Sequence, residues 1–293
     1  MAVRRVLVTG GNRGIGLAIV QELLKRYEDT YVLLGSRSLS AAEQAIAAMP
    51  AEHRARCTPL QLDVASEASI RDAAALVKEK FAPLHGLVNN AGVMPSDFDL
   101  KSGLDINVRG TVLMCKYFEP MLLERIVNMS SGSAPNFVQK CAPEKQAMLV
   151  RPESWAQVES AIQEMENIYA LDHSKVPAAF EKAGFGSFAG ISVYGFSKAC
   201  VSAFTYTYAK EVPRLITNAC SPGFIETDMT QHFVSPGQSA KEAGLKTPAE
   251  GAEVPIMLLM EPIKTTGKYY GSDGKRSPWD KYRSPGAPEY TGE

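Results

Sequence analysis

The sequence has few of the features that mark secreted, metal-binding or nucleic-acid-binding proteins. Its 293 residues include five cysteines and four histidines, each scattered singly along the chain. Because the cysteines show no paired or metal-like spacing, we expect reduced thiols in a cytoplasmic protein and no metal site. The formal net charge of −1 provides no basic footprint for nucleic acid. The apolar run near the N-terminus is too short for a signal peptide or a membrane span, so no membrane partner is expected.

The sequence does contain a regular alternation of short apolar runs and helical patterns. Runs such as "VLVTG" and "IVNMSS" are apolar throughout, as is typical of strands buried on both faces. Repeated β-α units of this kind predict an α/β fold, with a parallel sheet covered by helices on both sides. The predicted strands are 4–10, 31–37, 57–64, 84–92, 124–132, 216–223 and 268–274, and the predicted helices are 16–27, 40–49, 68–81 and 104–118. The last residues, about 275–293, are rich in proline, glycine and charge and are predicted to form a tail that is loose or draped over the surface.

A glycine-rich turn, "TGGNRGIG", follows the first predicted strand and opens a helix. Glycines at these positions let the chain turn tightly and let a pyrophosphate approach the helix N-terminus. This context predicts dinucleotide binding, and an ordinary β-α turn without a ligand is the alternative. The residues of the turn expected to bind the cofactor are Gly10, Asn12, Arg13, Gly14, Ile15 and Gly16.

The end of the second strand indicates which dinucleotide is bound. Folds that bind NAD place an acidic residue there, whereas this strand ends at Arg37. Arg37, with Arg13 on the other side, could clamp a 2′-phosphate because the planar fork of arginine matches phosphate oxygens. The pattern favours NADPH/NADP+ as the cofactor, and two solvated surface arginines are the alternative.

Several motifs, taken together, resemble those of the short-chain dehydrogenase/reductase family. After the glycine turn they are, in order, Asp63-Val64, Asn89-Asn90-Ala91-Gly92, Asn107, Ser130-Ser131, Tyr194-x-x-x-Lys198 and "SPGFIETDM". The resemblance covers nearly the whole chain. It implies a doubly wound, Rossmann-type domain that transfers hydride between a nicotinamide cofactor and a carbonyl/alcohol pair.

The resemblance implies a role for each residue of a catalytic set. Tyr194 would be the general acid, and Lys198, one helical turn away, would lower the pKa of Tyr194 and bind the nicotinamide ribose. Ser131 would hold the substrate oxygen, with Ser130 as the alternative. Asn107 would bind a water that relays protons from Lys198, unless it is an ordinary polar residue of its helix.

The resemblance also places residues beside the cofactor and the substrate. Asp63 and Val64 would flank the adenine, and Asn90 would lie beside the adenosine ribose. The loop that holds the nicotinamide amide would contribute Pro222, Gly223, Ile225 and Thr227. An apolar substrate pocket would be lined by Met94, Pro95, Phe224 and Met229, although each of these could equally be plain core.

A long segment separates Ser131 from Tyr194, which narrows the resemblance to the monomeric NADPH-dependent carbonyl reductases. We predict a helical insertion at about residues 136–186. Its apolar residues at helical spacing are Trp155, Val158, Ile162, Met165 and Ile168. In that subgroup the insertion covers the surface that other members use to dimerise, so we expect a monomer; a mobile substrate lid is the alternative. Ser221 stands where carbonyl reductases commonly carry a cysteine, so no glutathione-linked activity follows.

Together these features predict a single NADP-binding domain over residues 1–293 that reduces carbonyl compounds such as quinones, ketones and aldehydes. Two alternatives stay open: a dedicated alcohol or steroid dehydrogenase of the same family, and a protein that senses NADPH without turnover. Sensors derived from this fold usually lose the tyrosine or the lysine. This chain keeps all four catalytic positions.

Overall fold

A mostly parallel sheet forms the centre of the computed structural model, which describes residues 3–292. Within these residues the sheet has eight strands in the order β3-β2-β1-β4-β5-β6-β7-β8, and only the last pair is antiparallel. The strands are β1 (Arg4–Thr9), β2 (Thr30–Ser36), β3 (Cys57–Gln61), β4 (Leu84–Asn89), β5 (Leu122–Met129), β6 (Ile216–Cys220), β7 (Tyr269–Tyr270) and β8 (Arg276–Ser277). The order reverses at β1, so the sheet is doubly wound, as predicted.

Helices cover both faces of the sheet. They are α1 (Gly14–Arg26), α2 (Leu39–Ala47), α3 (Ala51–Arg54), α4 (Glu67–Lys80), α5 (Leu100–Ser102), α6 (Gly110–Phe118), α7 (Ser133–Val138), α8 (Pro143–Val150), α9 (Trp155–Tyr169), α10 (Val176–Lys182), α11 (Ser192–Glu211) and α12 (Pro248–Met260). A π-helical turn, Gly103–Arg109, joins α5 to α6. None of the helices in residues 3–292 combines the length and the apolar character that crossing a membrane requires.

The apolar runs predicted as buried strands are buried on both sides. In β1, Val6 and Val8 pack into the core on the face covered by α1 and α12, and Leu7 packs into the core on the opposite face. All three side chains are fully buried. Alternate residues of a strand point to opposite faces, so a strand between two helical layers must be apolar at every position.

The insertion forms a third core of its own against α11. The predicted apolar stripe lies on α9, where Val158, Ile162, Met165 and Ile168 are buried. Trp155 is partly buried, and its ring packs edge-on against that of Phe204, with ring centroids 5.2 Å apart. Helices α7 to α10 and α11 therefore enclose one cluster of apolar side chains.

The last helix, α12, was not among the predicted helices. Its apolar residues show little amphipathic spacing, and Pro255 lies inside it. A signal was nevertheless present, because Thr247 and Glu250 form a capping box with a proline at the first helical position. That spacing marks a helix start even where the apolar pattern is weak.

The C-terminal segment is held against the rest of the fold and is not loose, which was one of the two forms predicted for it. Trp279 is only 7% exposed and packs against Tyr269, with ring centroids 5.5 Å apart. Arg283 pairs with Asp273 and donates to the Ala287 carbonyl at 2.8 Å. β8, in the same segment, adds an antiparallel strand to the edge of the sheet. Two buried anchors thus hold a stretch whose composition alone indicates a coil.

Candidate active site

The predicted site residues converge on one edge of the sheet. Because β1 to β7 are parallel, the loops that follow them all emerge at their carboxyl ends, where open α/β sheets bind ligands. The residues brought to this edge are Gly10, Arg37, Asp63, Asn90, Ser131 and Pro222, each directly or shortly after its strand. Helix α11 adds Tyr194 and Lys198 to the same edge.

The glycine turn adopts a conformation that requires glycine. Gly10 and Gly14 have φ values of +64° and +54°, in the left-handed region. A Cβ added to Gly16 would lie 2.2 Å from the Gly10 carbonyl oxygen, so no side chain fits there. The Asn90 amide donates to the Thr9 and Gly10 carbonyls at 2.9 and 3.3 Å. It therefore braces the turn.

The first turn of α1 is open toward this edge of the sheet, where the predicted cofactor cleft lies. In the described chain Arg13, the N-cap residue, supplies no side-chain capping hydrogen bond, and Asn12 and Ile15 lie half-buried beside it. An uncapped helix N-terminus of this kind suits a phosphate group. Across the cleft, a Cβ on Gly14 would lie 3.3 Å from Thr227 Cγ2.

The two arginines predicted to hold a 2′-phosphate have different surroundings. Arg13 forms an exposed ion pair with Asp228, which follows Thr227 in the loop across the cleft. Arg37 is exposed directly after β2, and its carbonyl accepts a hydrogen bond from Gln61 at 2.7 Å. Arg37 is thus positioned by the end of the strand, as the sequence predicts.

The adenine-side residues are held by local hydrogen bonds and packing. The Asp63 carboxylate accepts from the Ala65 N–H at 3.0 Å, and the Asp63 N–H donates to Ser69 Oγ at 2.9 Å. Val64 is buried against the start of α6, where a Cβ on Gly110 would lie 2.8 Å from the Val64 carbonyl oxygen. Both residues thus border the cleft in fixed positions.

Tyr194 and Lys198 lie one turn apart on α11, and both are buried, at 8% and 5% exposure. Lys198 Nζ donates to the Met129 carbonyl at 2.8 Å, at the end of β5. The same nitrogen lies 5.8 Å from the centroid of the Tyr194 ring. The predicted proximity of the phenol and the ammonium is therefore present.

The direction of the Tyr194 pKa differs from the expectation that Lys198 lowers it. Burial raises the pKa of Tyr194, and its interaction with the Ser131 hydroxyl opposes that shift only in part. Burial also lowers the pKa of Lys198 to about 8, with the nearby Cys220 opposing it. Burial disfavours the charged form of each group, so it leaves the pKa of Lys198 below that of Tyr194.

The two serines after β5 face different neighbours. Ser130 is buried, and its hydroxyl donates to the Lys198 carbonyl at 3.1 Å and contacts Ser202 Oγ at 2.7 Å. Ser131 is less buried, and its hydroxyl interacts with Tyr194. Ser130 therefore connects β5 to α11, and Ser131 faces the phenol.

Asn107 lies in the π-helical turn, next to the backbone of Val93. Its amide oxygen accepts from the Val93 N–H at 2.9 Å, and its amide nitrogen donates to the Val93 carbonyl and to Ser197 Oγ, both at 3.0 Å. A Cβ on Gly92 would lie 3.1 Å from Asn107 Oδ1 and 3.3 Å from Lys198 Nζ. Asn107 and Lys198 therefore both approach Gly92 closely, which leaves little room for a side chain at residue 92.

The residues predicted to line the substrate pocket are divided between core and surface. Pro95 is buried, and a Cβ on Gly103 would lie 3.2 Å from its ring. Met94 and Met229 are half-buried, whereas Phe224 is 41% exposed and packs edge-on against Phe233, with centroids 5.6 Å apart. Pro95 thus belongs to the core, and Phe224 presents an aromatic surface.

A cleft of about 340 Å³ lies between α7, α11 and the loop before α11. Its lining differs from the four predicted pocket residues and includes Ser133, Asn136, Lys140, Ser187, Ile191 and Gly195. Ser133 and Gly195 directly adjoin the Ser131 and Tyr194 regions of the chain. Ser131, Tyr194 and Lys198 do not line it, so the cleft neighbours the catalytic residues only along the chain.

Three residues at this edge received no role from the sequence. The Ser221 hydroxyl accepts from the Gly132 and Gly223 N–H groups, each at 3.2 Å, and interacts with the buried phenol of Tyr269. Tyr282 reaches Gly132 from the C-terminal segment, because a Cβ on that glycine would lie 2.9 Å from Tyr282 Cε2. These contacts join distant parts of the chain, so neither the periodicity of the sequence nor a local motif predicts them.

The model of the short chain dehydrogenase family matches residues 4–142 and 181–237, more than half of the chain. This chain belongs to the short chain dehydrogenase family. The unmatched residues between the two parts hold α8, α9 and most of α10. The family match therefore stops and resumes around the helices of the insertion.

Similar proteins include carbonyl reductases of the family. Carbonyl reductase (NADPH) 1 of Macaca fascicularis is 30% identical over 284 residues, which cover 91% of this chain and 94% of that protein. Salutaridine reductase from Papaver somniferum has a TM-score of 0.75 at 23% identity, over 91% of this chain and 99% of that one. The NADPH-bound carbonyl reductase from chicken fatty liver has a TM-score of 0.64 at 23% identity, over 95% of this chain and 100% of that one. At these identities the two solved structures support the fold.

Proposed function

We propose that this chain reduces carbonyl compounds, including quinones, ketones and aldehydes, to alcohols with NADPH. The chain is an NADPH-dependent oxidoreductase of the short chain dehydrogenase family, related over nearly its whole length to an NADPH carbonyl reductase. The observation that carries the finer proposal is the meeting of Tyr194, Ser131 and Lys198 beside the glycine turn. A protein that only senses NADPH needs no such catalytic set, whereas a dedicated dehydrogenase of the family would share it.

The residues around the glycine turn and the start of α1 fit a dinucleotide that carries a 2′-phosphate. The glycine turn and the uncapped start of α1 would hold the pyrophosphate, and Arg37 the 2′-phosphate. Thr227, in the loop that faces Gly14, would bind the nicotinamide amide. When bound, NADPH supplies the hydride for the carbonyl carbon.

Tyr194 would donate its hydroxyl proton to the carbonyl oxygen as that oxygen gains the electron pair of the C=O bond. Burial raises the pKa of Tyr194, so the phenol is protonated at neutral pH, which is the form that reduction requires. Ser131 would donate a hydrogen bond to the same oxygen and hold it next to the phenol.

Lys198 and Asn107 would return a proton to the phenolate left after each turnover. Lys198 Nζ and Asn107 Oδ1 both lie close to Gly92, and a water between these two side chains would connect them. The ammonium would also stabilise the transient phenolate by its charge. The proton gained by the product would thus be replaced from solvent through these two side chains.

We propose further that the protein acts as a monomer, as one domain, in the cytoplasm. The insertion covers α11, the helix expected to mediate dimerisation, and α11 contributes side chains both to the core of the insertion and to one core on the sheet. The five cysteines, all within the described residues, are free and buried, which suits a reducing compartment.

Replacing Tyr194 by Phe tests the proposed chemistry. We expect NADPH oxidation with a quinone or an aromatic aldehyde to fall by at least about a thousandfold, in the range of lost acid catalysis. NADPH affinity, measured by fluorescence titration, should stay within a few fold because the ring still packs. A variant that keeps more than about a tenth of the wild-type rate would refute the role of the phenol.

A further inference from the structure

The residue after Ser131 is a glycine, and an aromatic ring from the C-terminal segment occupies the space beside it. A Cβ on Gly132 would lie 2.9 Å from Cε2 and 3.4 Å from Cδ2 of Tyr282. Real Cβ atoms do not approach other heavy atoms that closely, so the ring can occupy this place only because residue 132 has no side chain.

The ring is held there by anchors on both sides of Tyr282. Trp279 is buried and packs on Tyr269 of β7. Arg283 donates to Ser277 Oγ at 2.9 Å and pairs with Asp273. A residue between two such anchors has a defined position rather than the freedom of a terminal coil.

Tyr282 is close to the reacting groups. Burial first, then the Cys220 thiol and the phenols of Tyr282 and Tyr194, raise the pKa of the buried Tyr269, so Tyr282 and Tyr194 each lie within electrostatic reach of Tyr269. The Ser221 hydroxyl joins Gly132, which Tyr282 touches, to Gly223, which precedes the exposed Phe224. Tyr282 itself is 41% exposed, so part of its ring is available to a ligand.

We propose that Tyr282 is a specificity-determining residue of the substrate site, forming an aromatic wall beside Ser131 that favours carbonyl compounds with flat aromatic groups. This inference rests on the proposed function. Flat rings stack against a tyrosine face or edge, whereas a short alkyl chain gains little from it. The wall would therefore act on the binding of substrate rather than on the chemical step.

Steady-state kinetics with two substrates test this inference. The variants are Tyr282→Ala, Tyr282→Phe and, as a control in the same segment, Tyr290→Ala; the substrates are 4-nitrobenzaldehyde and propanal. We expect Tyr282→Ala to raise KM for the aromatic aldehyde about tenfold, with kcat and the KM for propanal within about twofold of wild type. Tyr282→Phe should keep the wild-type selectivity because the ring remains, and Tyr290→Ala should do the same.

If the ratio of the two KM values in Tyr282→Ala equals that of the wild type, the proposed role of Tyr282 is wrong. This includes an equal rise of both KM values, which would indicate a merely structural role. If the wild type reduces neither aldehyde, the proposed function fails instead. Saturation-transfer NMR with benzophenone then decides the inference separately. Weaker transfer with Tyr282→Ala than with Tyr290→Ala would support it, and equal transfer would overturn it.

Discussion

Lys198 shows how burial changes the chemistry of a single residue. Burial disfavours the ammonium and lowers the pKa of Lys198 to about 8, well below the ordinary pKa of lysine. Burial raises the pKa of Tyr194 instead, so the phenol stays protonated over the same pH range. Around pH 8 the charge on Lys198 is therefore the one that changes.

We expect kcat/KM for carbonyl reduction to decrease as the pH rises through about 8, because the ammonium that supports the phenolate is then lost. The check is a profile of kcat/KM from about pH 6 to about pH 10. Lys198→Arg, which keeps its charge throughout, should lack that decrease among whatever activity it retains. A wild-type profile that is flat to about pH 10 would contradict the assignment.

For these single residues, the sequence could predict which side chains lie close together but not the direction in which each pKa shifts. Tyr194 and Lys198 are i and i+4 on a helix, so their proximity follows from helical geometry. The sign of each pKa shift depends on burial among residues distant in sequence, such as Met129 and Cys220. That burial exists only after the whole site has assembled.

Among the elements, α10 links the insertion to the rest of the fold through aromatic packing. Phe180 on α10 is fully buried. Its ring contacts those of Phe137 on α7, Phe185 and Phe188, with centroids 6.2, 5.7 and 5.4 Å away. Phe137 in turn contacts Phe196 of α11, so one chain of rings joins the insertion to the catalytic helix.

Replacing Phe180 by Ala should lower the free energy of unfolding by about 3–5 kcal/mol, through lost burial and the cavity left behind. Leu171→Ala is the matched control, since that side chain is in the insertion but 43% exposed. The control should change stability by less than about 0.5 kcal/mol. Urea unfolding of both variants measures the difference, and equal values would show that the insertion is not part of the core.

The elements that the sequence predicted are those whose pattern is local. The seven parallel strands and α9 each have apolar residues at the spacing of their own element. Helix α12 and strand β8 lack such a pattern and depend on a capping box and on the anchors of Trp279 and Arg283. Tertiary contacts therefore decide the structure where local pattern is weak.

For the molecule as a whole, the burial of α11 bears on assembly. Most of its residues are buried within one chain, from Ser192 to Ala209. Helices α7, α8 and α9 all contact it. Little apolar area on this helix is left for a second chain to bury.

We therefore expect light scattering to give a mass near 31.8 kDa, that of one chain, at all protein concentrations tested. A mass near twice that value, stable to dilution, would contradict a monomer. A mass that rises with concentration would indicate a weak dimer through another surface, and it would equally count against the prediction.

All five cysteines are buried, and this bears on how the molecule would withstand the quinones proposed as its substrates. Burial raises the pKa of Cys57, Cys115, Cys141 and Cys220 to about 12, and that of Cys200 also rises. Quinones and unsaturated ketones damage proteins by bonding to thiolates, and at neutral pH these groups are protonated thiols sealed from solvent. The folded protein should consequently resist alkylation of its cysteines by such electrophiles. After incubation with a quinone or N-ethylmaleimide, the intact mass and the activity of the native protein should be unchanged, whereas the urea-unfolded chain should gain up to five adducts.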